Sequence, residues 1–123
     1  MKLAELFESN GFGVMATAGA DGAVNSAVYA RPHVINETTL VWGMTEGRSF
    51  RNLSQNPKAA FLFKIDKPGY QGVRLALERI RSEETGEMLE LIKRRVAETV
   101  GAGAGLAVTH AVWCRVTEVR SLV

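Results

Sequence analysis

Cysteine is almost missing from this sequence: Cys114 is the only one in 123 residues. A lone cysteine cannot close an internal disulfide, and a chain without such bridges fits a reducing, cytoplasmic compartment. Histidine is nearly as scarce. His33 and His110 are the only two, too few beside one cysteine for a zinc-type ligand set, so no metal site is expected. An excess of either charge is lacking too. The formal net charge is +2, which argues against nucleic acid or an acidic membrane as a partner. The densest basic run, Lys93-Arg94-Arg95, lies between Glu90 and Glu98 and reads as the solvated face of a helix. The longest uncharged stretch, Thr99–Cys114, is too short and too glycine-rich to span a bilayer. The first residues, MKLAELFESN, carry acidic groups where a secretory signal would be apolar. No nucleophile elbow marks a hydrolase. The run Gly101-Ala-Gly-Ala-Gly105 follows a helical pattern and precedes a strand pattern, the reverse of what a dinucleotide loop needs, and reads as a flexible connector.

What is present is the patterning of one domain over residues 1–123, with 46% hydrophobic and 23% charged residues. A chain of this size buries only about two-thirds of its surface, which places any cofactor pocket near the surface or at a subunit contact. Residues 2–9 predict a short helix with Leu3, Leu6 and Phe7 on one side, stopped by Asn10-Gly11. Strands are expected over Gly13–Ala18, Val24–Ile35, Thr39–Met44, Ala59–Ile65, Gln71–Arg81 and Leu106–Val119. Asp21-Gly22 supplies the first hairpin turn, and Pro32 marks an edge or a bulge. Arg48–Gln55 has helical spacing and ends at Asn56-Pro57. A longer helix is expected after Ser82, its cap, with an apolar stripe of Met88, Leu89, Ile92, Val96 and Val100. His110, mid-strand, reads as a packed histidine. The sum is a mainly β fold with two or three helices. Its six antiparallel strands, mostly hairpin-linked, favour a barrel over an open sheet.

The most informative segment is Leu40–Pro57. A strand runs into a glycine-containing bend, then Arg48-Ser49, then the first turn of a helix. Free N–H groups at a helix start attract anions, Arg48 adds a fork of donors that suits phosphate, and Ser49 adds a hydroxyl. Two plainer readings stand beside this one. Arg and Ser at a helix start also serve as a surface cap, and Trp42 alternates with Leu40 and Met44 as a core residue does.

In its full context the segment resembles the FMN-binding split barrels of the pyridoxamine 5′-phosphate oxidase-like family, whose small members have similar length. The residues that carry the resemblance are Trp42-Gly43, Gly47-Arg48-Ser49, Asn52-Leu53, Asn56-Pro57 and the hydrophobic strand Ala59–Phe63. The order of elements agrees over nearly the whole chain. The resemblance implies a six-stranded antiparallel split β-barrel that holds flavin mononucleotide (FMN), and a homodimer with the flavin at its interface. It implies that Arg48 and Ser49, after Gly47, hold the FMN phosphate. Asn25, Ser26, Ala27 and Val28 then line the isoalloxazine ring, largely through backbone groups, and Trp42 and Gly43 stand beside the ribityl chain and ring. Gln71 reaches the flavin from the other subunit, and Trp113 forms an aromatic wall for the partner's flavin. There are two departures. Phe50 stands where the family usually has a third basic phosphate ligand, with Arg51 next to it. The Arg-rich C-terminal segment with which pyridoxamine phosphate oxidases grip their substrate has no counterpart in the ending Val-Arg-Ser-Leu-Val, so that vitamin reaction is not expected. The function implied is an FMN-dependent oxidoreductase or flavin reductase acting on a small molecule. The alternatives are an electron carrier serving a redox partner protein, or a relative that binds a deazaflavin or heme instead. No residue stands out as a catalytic acid or base.

Overall fold

The structure, a computed structural model, describes residues 2–123. In chain order its elements are α1 (Leu3–Leu6), β1 (Gly11–Ala18), β2 (Val24–Tyr29), β3 (His33–Asn36), β4 (Thr39–Met44), α2 (Arg48–Gln55), β5 (Lys58–Ile65), β6 (Gly72–Glu83), α3 (Glu87–Thr99), α4 (Ala102–Ala107) and β7 (His110–Ser121). The strands form one antiparallel sheet in the order β2-β1-β5-β6-β7-β4-β3.

The period-2 patterns decide which face is buried. Met15 of β1, Phe61 and Phe63 of β5, Leu75 and Leu77 of β6, Leu40, Trp42 and Met44 of β4, and Val112 and Cys114 of β7 all enter one core. The rings of Trp42 and Phe61 lie 4.9 Å apart. Three strand spacings separate β4 from β5 in the sheet order, about 14 Å if the sheet were flat. The sheet therefore curls until its two ends approach, and the Trp42 indole N–H donates to the Ala30 carbonyl just after β2 at 3.2 Å.

A second apolar cluster forms on the outside of the curl. Leu89 and Ile92 of α3 pack with Val41, Val108 and Ala111, each of the larger aliphatic side chains contributing about 1.5–3 kcal/mol relative to exposure. Strand β4 is thus buried on both faces. Gly43 is what lets α3 come so close: a Cβ there would stand 2.5 Å from Ile92 Cγ2 and 3.0 Å from Val108 Cγ1.

Several elements differ from the sequence expectation. The strand expected over Val24–Ile35 is two strands, because Pro32 has no N–H for a ladder; β2 and β3 end up at opposite edges of a seven-stranded sheet rather than a six-stranded one. Ser82 does not cap a helix. It pairs with Val112, and the ladder continues to Glu83 opposite Ala111, so α3 starts only at Glu87, after Gly86 and with no side-chain cap. The glycine run is not a plain connector, since Ala102–Ala107 is helical. Gly105 lies against α3, where a Cβ would meet Lys93 O at 2.8 Å and Ala97 Cβ at 2.9 Å. The last strand consequently starts at His110, and Val108 docks under α3 instead.

Candidate functional site

Helix α2 sits over one end of the curl. Leu53 is its fully buried anchor, the Asn52 amide donates to Thr17 Oγ1 of β1 at 3.0 Å, and Arg79 Nε donates to the Leu53 carbonyl at 2.9 Å. The bend before it is fixed from within, since the Arg51 guanidinium donates to the Glu46 carbonyl at 3.0 Å. These contacts leave the N-terminus of α2 pointing into a cleft of about 460 Å³ lined by Asn25, Ala27, Val28, Tyr29, Gly43, Thr45, Gly47, Arg48, Ser49 and Val108.

The helix start is electrostatically unbalanced. Gly47 at the N-cap provides no side-chain cap, and the first turn has no acidic residue, although a helix N-terminus carries roughly +0.5 of an elementary charge. Arg48 adds a full positive charge at the same place. It is exposed and enters none of the ion pairs among the described residues. Such an arrangement favours an anion. Ser49 is buried and faces the Tyr29 phenol. Burial raises the Tyr29 pKa above its ordinary value, and the bond with Ser49 pulls it partly back.

The opposite wall is β2. Three consecutive residues, Ala27, Val28 and Tyr29, border the cleft. Neighbouring side chains on a strand point to opposite faces, so it is the strand's edge that borders it. Among the described residues β2 pairs with β1 alone, which leaves alternate backbone N–H and C=O groups along that edge for a ligand.

Of the residues singled out in the sequence, Asn25, Ala27, Val28, Gly43, Gly47, Arg48 and Ser49 come together here. The other four lie elsewhere. Ser26 faces the outside of β2. Trp42 shares the core face of β4 with Leu40 and Met44 and is 2% exposed, so in this chain its side chain is a core residue. Gln71 is exposed in the β5–β6 turn. Trp113 is on the outer face of β7, with its indole N–H donating to Glu83 at 2.6 Å and the Arg81 guanidinium 3.9 Å above its ring.

The sequence reading missed Thr45, Tyr29 and Val108 as lining residues. Tyr29 continues the Asn25, Ala27 alternation and was within reach of that pattern. Val108 arrives through the helical glycine run and leaves no such signal. A second cavity, of about 360 Å³, shares Tyr29 and Gly43 with the cleft and contains Arg31, His33 and Arg95. The Arg95 guanidinium meets His33 Nδ1 at 2.7 Å, which makes that ring nitrogen an acceptor. Burial and the Arg95 charge lower the His33 pKa from its ordinary 6.5. Phe50 points away from the cleft and stacks on His110, and Arg51 is engaged by Glu46.

The sequence profile of the pyridoxamine 5′-phosphate oxidase family matches residues 1–122. The chain belongs to that family. No curated protein matches its sequence significantly. Among solved structures, an FMN-binding protein from Syntrophomonas wolfei subsp. wolfei superposes with a TM-score of 0.84 at 18% identity, over 99% of this chain and 84% of that one. HutZ, a heme-storage protein from Vibrio cholerae, gives 0.69 at 17% over 98% and 95%, and an F420 reductase gives 0.68 at 17% over 94% of each chain. At these identities the likeness is one of fold. The pyridoxamine 5′-phosphate oxidase fold is thus shared by neighbours named for different ligands. No helix among the described residues is long and apolar enough to cross a membrane.

Proposed function

We propose that this protein binds FMN in the cleft between α2 and β2 and carries out redox chemistry on a small anionic molecule. The observation that carries this reading is the uncapped N-terminus of α2 with an unpaired Arg48 beside it. The group that fits is a terminal phosphate, held by first-turn N–H groups, the Arg48 fork and the Ser49 hydroxyl. The polar edge of β2 suits a flat heterocycle with alternating donors and acceptors. When bound, the flavin supplies electron or hydride transfer, and the protein supplies position and electrostatics. Heme fits less well, because neither histidine lines the cleft.

The adjoining cavity favours an enzyme over a simple electron carrier. It adjoins the cleft at Tyr29 and Gly43, and Arg31, His33 and Arg95 give it a basic wall. The Arg31 guanidinium already holds the carbonyls of Phe7, Glu8 and Ser9, so Arg95 is the more available of the two cations.

A second copy of the chain completes the proposal. The outer face of the sheet carries an apolar row, Val28 beside Val14 beside Leu62. Val28 is 67% exposed and Leu62 38%, and Val28 also lines the cleft. A partner seated on this row would border the cofactor, and Gln71 and Trp113 are left to act across the interface rather than within one chain.

The test is a fluorescence titration of flavin-free protein with FMN. Arg48→Ala should weaken binding by roughly 1.5–3 kcal/mol, about 10- to 150-fold, if the phosphate contact is charge-assisted. Unchanged affinity removes Arg48 from the site, and no flavin binding at all removes the reading. Gel filtration of Leu62→Asp should show a shift from dimer to monomer. Mixing the flavin-loaded protein with reduced nicotinamide then separates an enzyme, which accepts hydride rapidly, from a carrier, which does not.

A further inference from the structure

We propose that the cleft continues past Arg48 into a nucleoside subsite, so that this chain accepts a flavin dinucleotide as well as FMN. The inference rests on the flavin reading above and extends it. A third cavity, of about 490 Å³, lies between the β1–β2 hairpin turn and the outer side of α2. Arg48 is the one residue that lines both this recess and the cleft. The spatial order is therefore the edge of β2, the anion-attracting helix start, Arg48, and the recess. A flavin dinucleotide has the same covalent order of ring, ribityl chain, phosphates and adenosine, and a guanidinium with several donors can serve two linked phosphates as readily as one.

The recess offers the groups a nucleoside needs. Asp21 uses Oδ1 to accept the Ala23 N–H at 3.0 Å, which leaves its second oxygen as an acceptor. Asn52 donates to Thr17 at 3.0 Å and keeps its carbonyl oxygen. Gln55 accepts the Ala20 N–H at 3.1 Å and keeps its NH₂ as a donor. Two acceptors, one of them charged, suit the vicinal hydroxyls of a ribose, and the amide donor suits a purine ring nitrogen. The size lies within the range of about 300–1,000 Å³ common to small-molecule sites. The Asp21 charge also selects against a tail that ends in carboxylates, which favours a nucleoside over an acidic peptide-like extension.

Isothermal titration of flavin-free protein with FMN and with FAD tests this. Asp21→Asn keeps the oxygen that holds the Ala23 N–H, and Gln55→Glu keeps an oxygen for the Ala20 N–H, so both variants retain the local turn. The expected result is that FAD binds at least as tightly as FMN, and that each substitution lowers FAD affinity by roughly 5-fold or more while FMN affinity stays within about 2-fold. Exclusion of FAD, or an FAD-to-FMN affinity ratio that neither substitution changes, overturns the subsite and leaves the FMN site standing. Failure of both flavins to bind the parent chain overturns the cofactor reading, and the subsite with it.

Discussion

The rings of Phe50 and His110 lie 3.9 Å apart, centroid to centroid, and are inclined by 23°. This stack joins the first turn of α2 to the first residue of β7. It explains the residue that departs from the family's basic pattern: position 50 turns inward onto a buried imidazole, and a lysine there would lose the stack. The same imidazole meets Thr109 Oγ1 at 2.8 Å and Glu84 at 3.4 Å, so its position is set from three sides. Phe50→Ala should cost about 1–3 kcal/mol, less than a fully buried phenylalanine because Phe50 is only partly covered. Urea unfolding measures it. A loss below about 0.5 kcal/mol would mean that the stack does not hold α2.

Gly43→Ala should destabilise the fold without touching the core under the sheet. The new methyl would overlap Ile92 Cγ2 at 2.5 Å, and overpacking of this kind costs typically 1–3 kcal/mol. Ile92→Ala removes the opposing methyl. The double variant should therefore lose less than the sum of the two single losses, and a thermal-unfolding cycle gives the coupling directly. Strict additivity would show that α3 can move aside.

Cys114 should make the protein sensitive to alkali. Burial pushes its thiol from 9.0 up to about 12, with Arg79 pulling slightly the other way. Below about pH 9 both folded and unfolded chains keep the proton, and the full stability is present. As the pH rises from 9 towards 12 only the unfolded chain releases it, so unfolding becomes easier by up to ~1.4 kcal/mol per pH unit. Cys114→Ala should start less stable, because it leaves a cavity, and decline less steeply over that window. Parallel slopes in urea unfolding with reductant present would contradict the buried thiol.

His33 should titrate below 6.5, because burial and the Arg95 charge both oppose its protonated form. The stability tied to the neutral ring is present above pH 6.5 and is lost as the pH falls through the lowered value. With only two histidines in the chain, the ring signals can be followed separately by NMR. Arg95→Gln should raise the His33 midpoint part of the way back, since burial remains. Added benzoate should raise it as well if the cavity takes anions, and an unmoved midpoint would speak against an anionic substrate there.

The β-strands were legible where polar and apolar residues alternate, and β4 and α2 fall on their expected limits, Thr39–Met44 and Arg48–Gln55. The misses have physical causes. Ser82 looks like a helix cap in isolation, but a ladder partner in β7 outcompetes the cap. The glycines at 101–105 look flexible until α3 is beside them, when the lack of a side chain becomes the condition for packing. Seven of the eleven candidate site residues meet in one cleft: Arg48 and Ser49 are neighbours at the start of α2, and the curl of the sheet brings the β2 edge to them. The alternation of Trp42 with Leu40 and Met44 fitted a core residue and a flavin neighbour alike, and its packing against Phe61 in the core decides between them. The basic cavity with His33 and Arg95 joins β3 to α3, and no local pattern announces a contact between residues 62 positions apart.

The two walls of the cleft belong to opposite ends of the sheet order, β2 at one end and β4 with its following helix near the other. No ladder joins them; the closure depends on the Trp42 to Ala30 bond and on the seating of α2. Fraying of the outermost strand would therefore dismantle the cleft while most of the interior stayed intact. Any molecule gripping both walls would act as a clasp across that seam. Amide hydrogens of Val24–Tyr29 should exchange far more slowly with the clasp in place, and those of the central strands should hardly change.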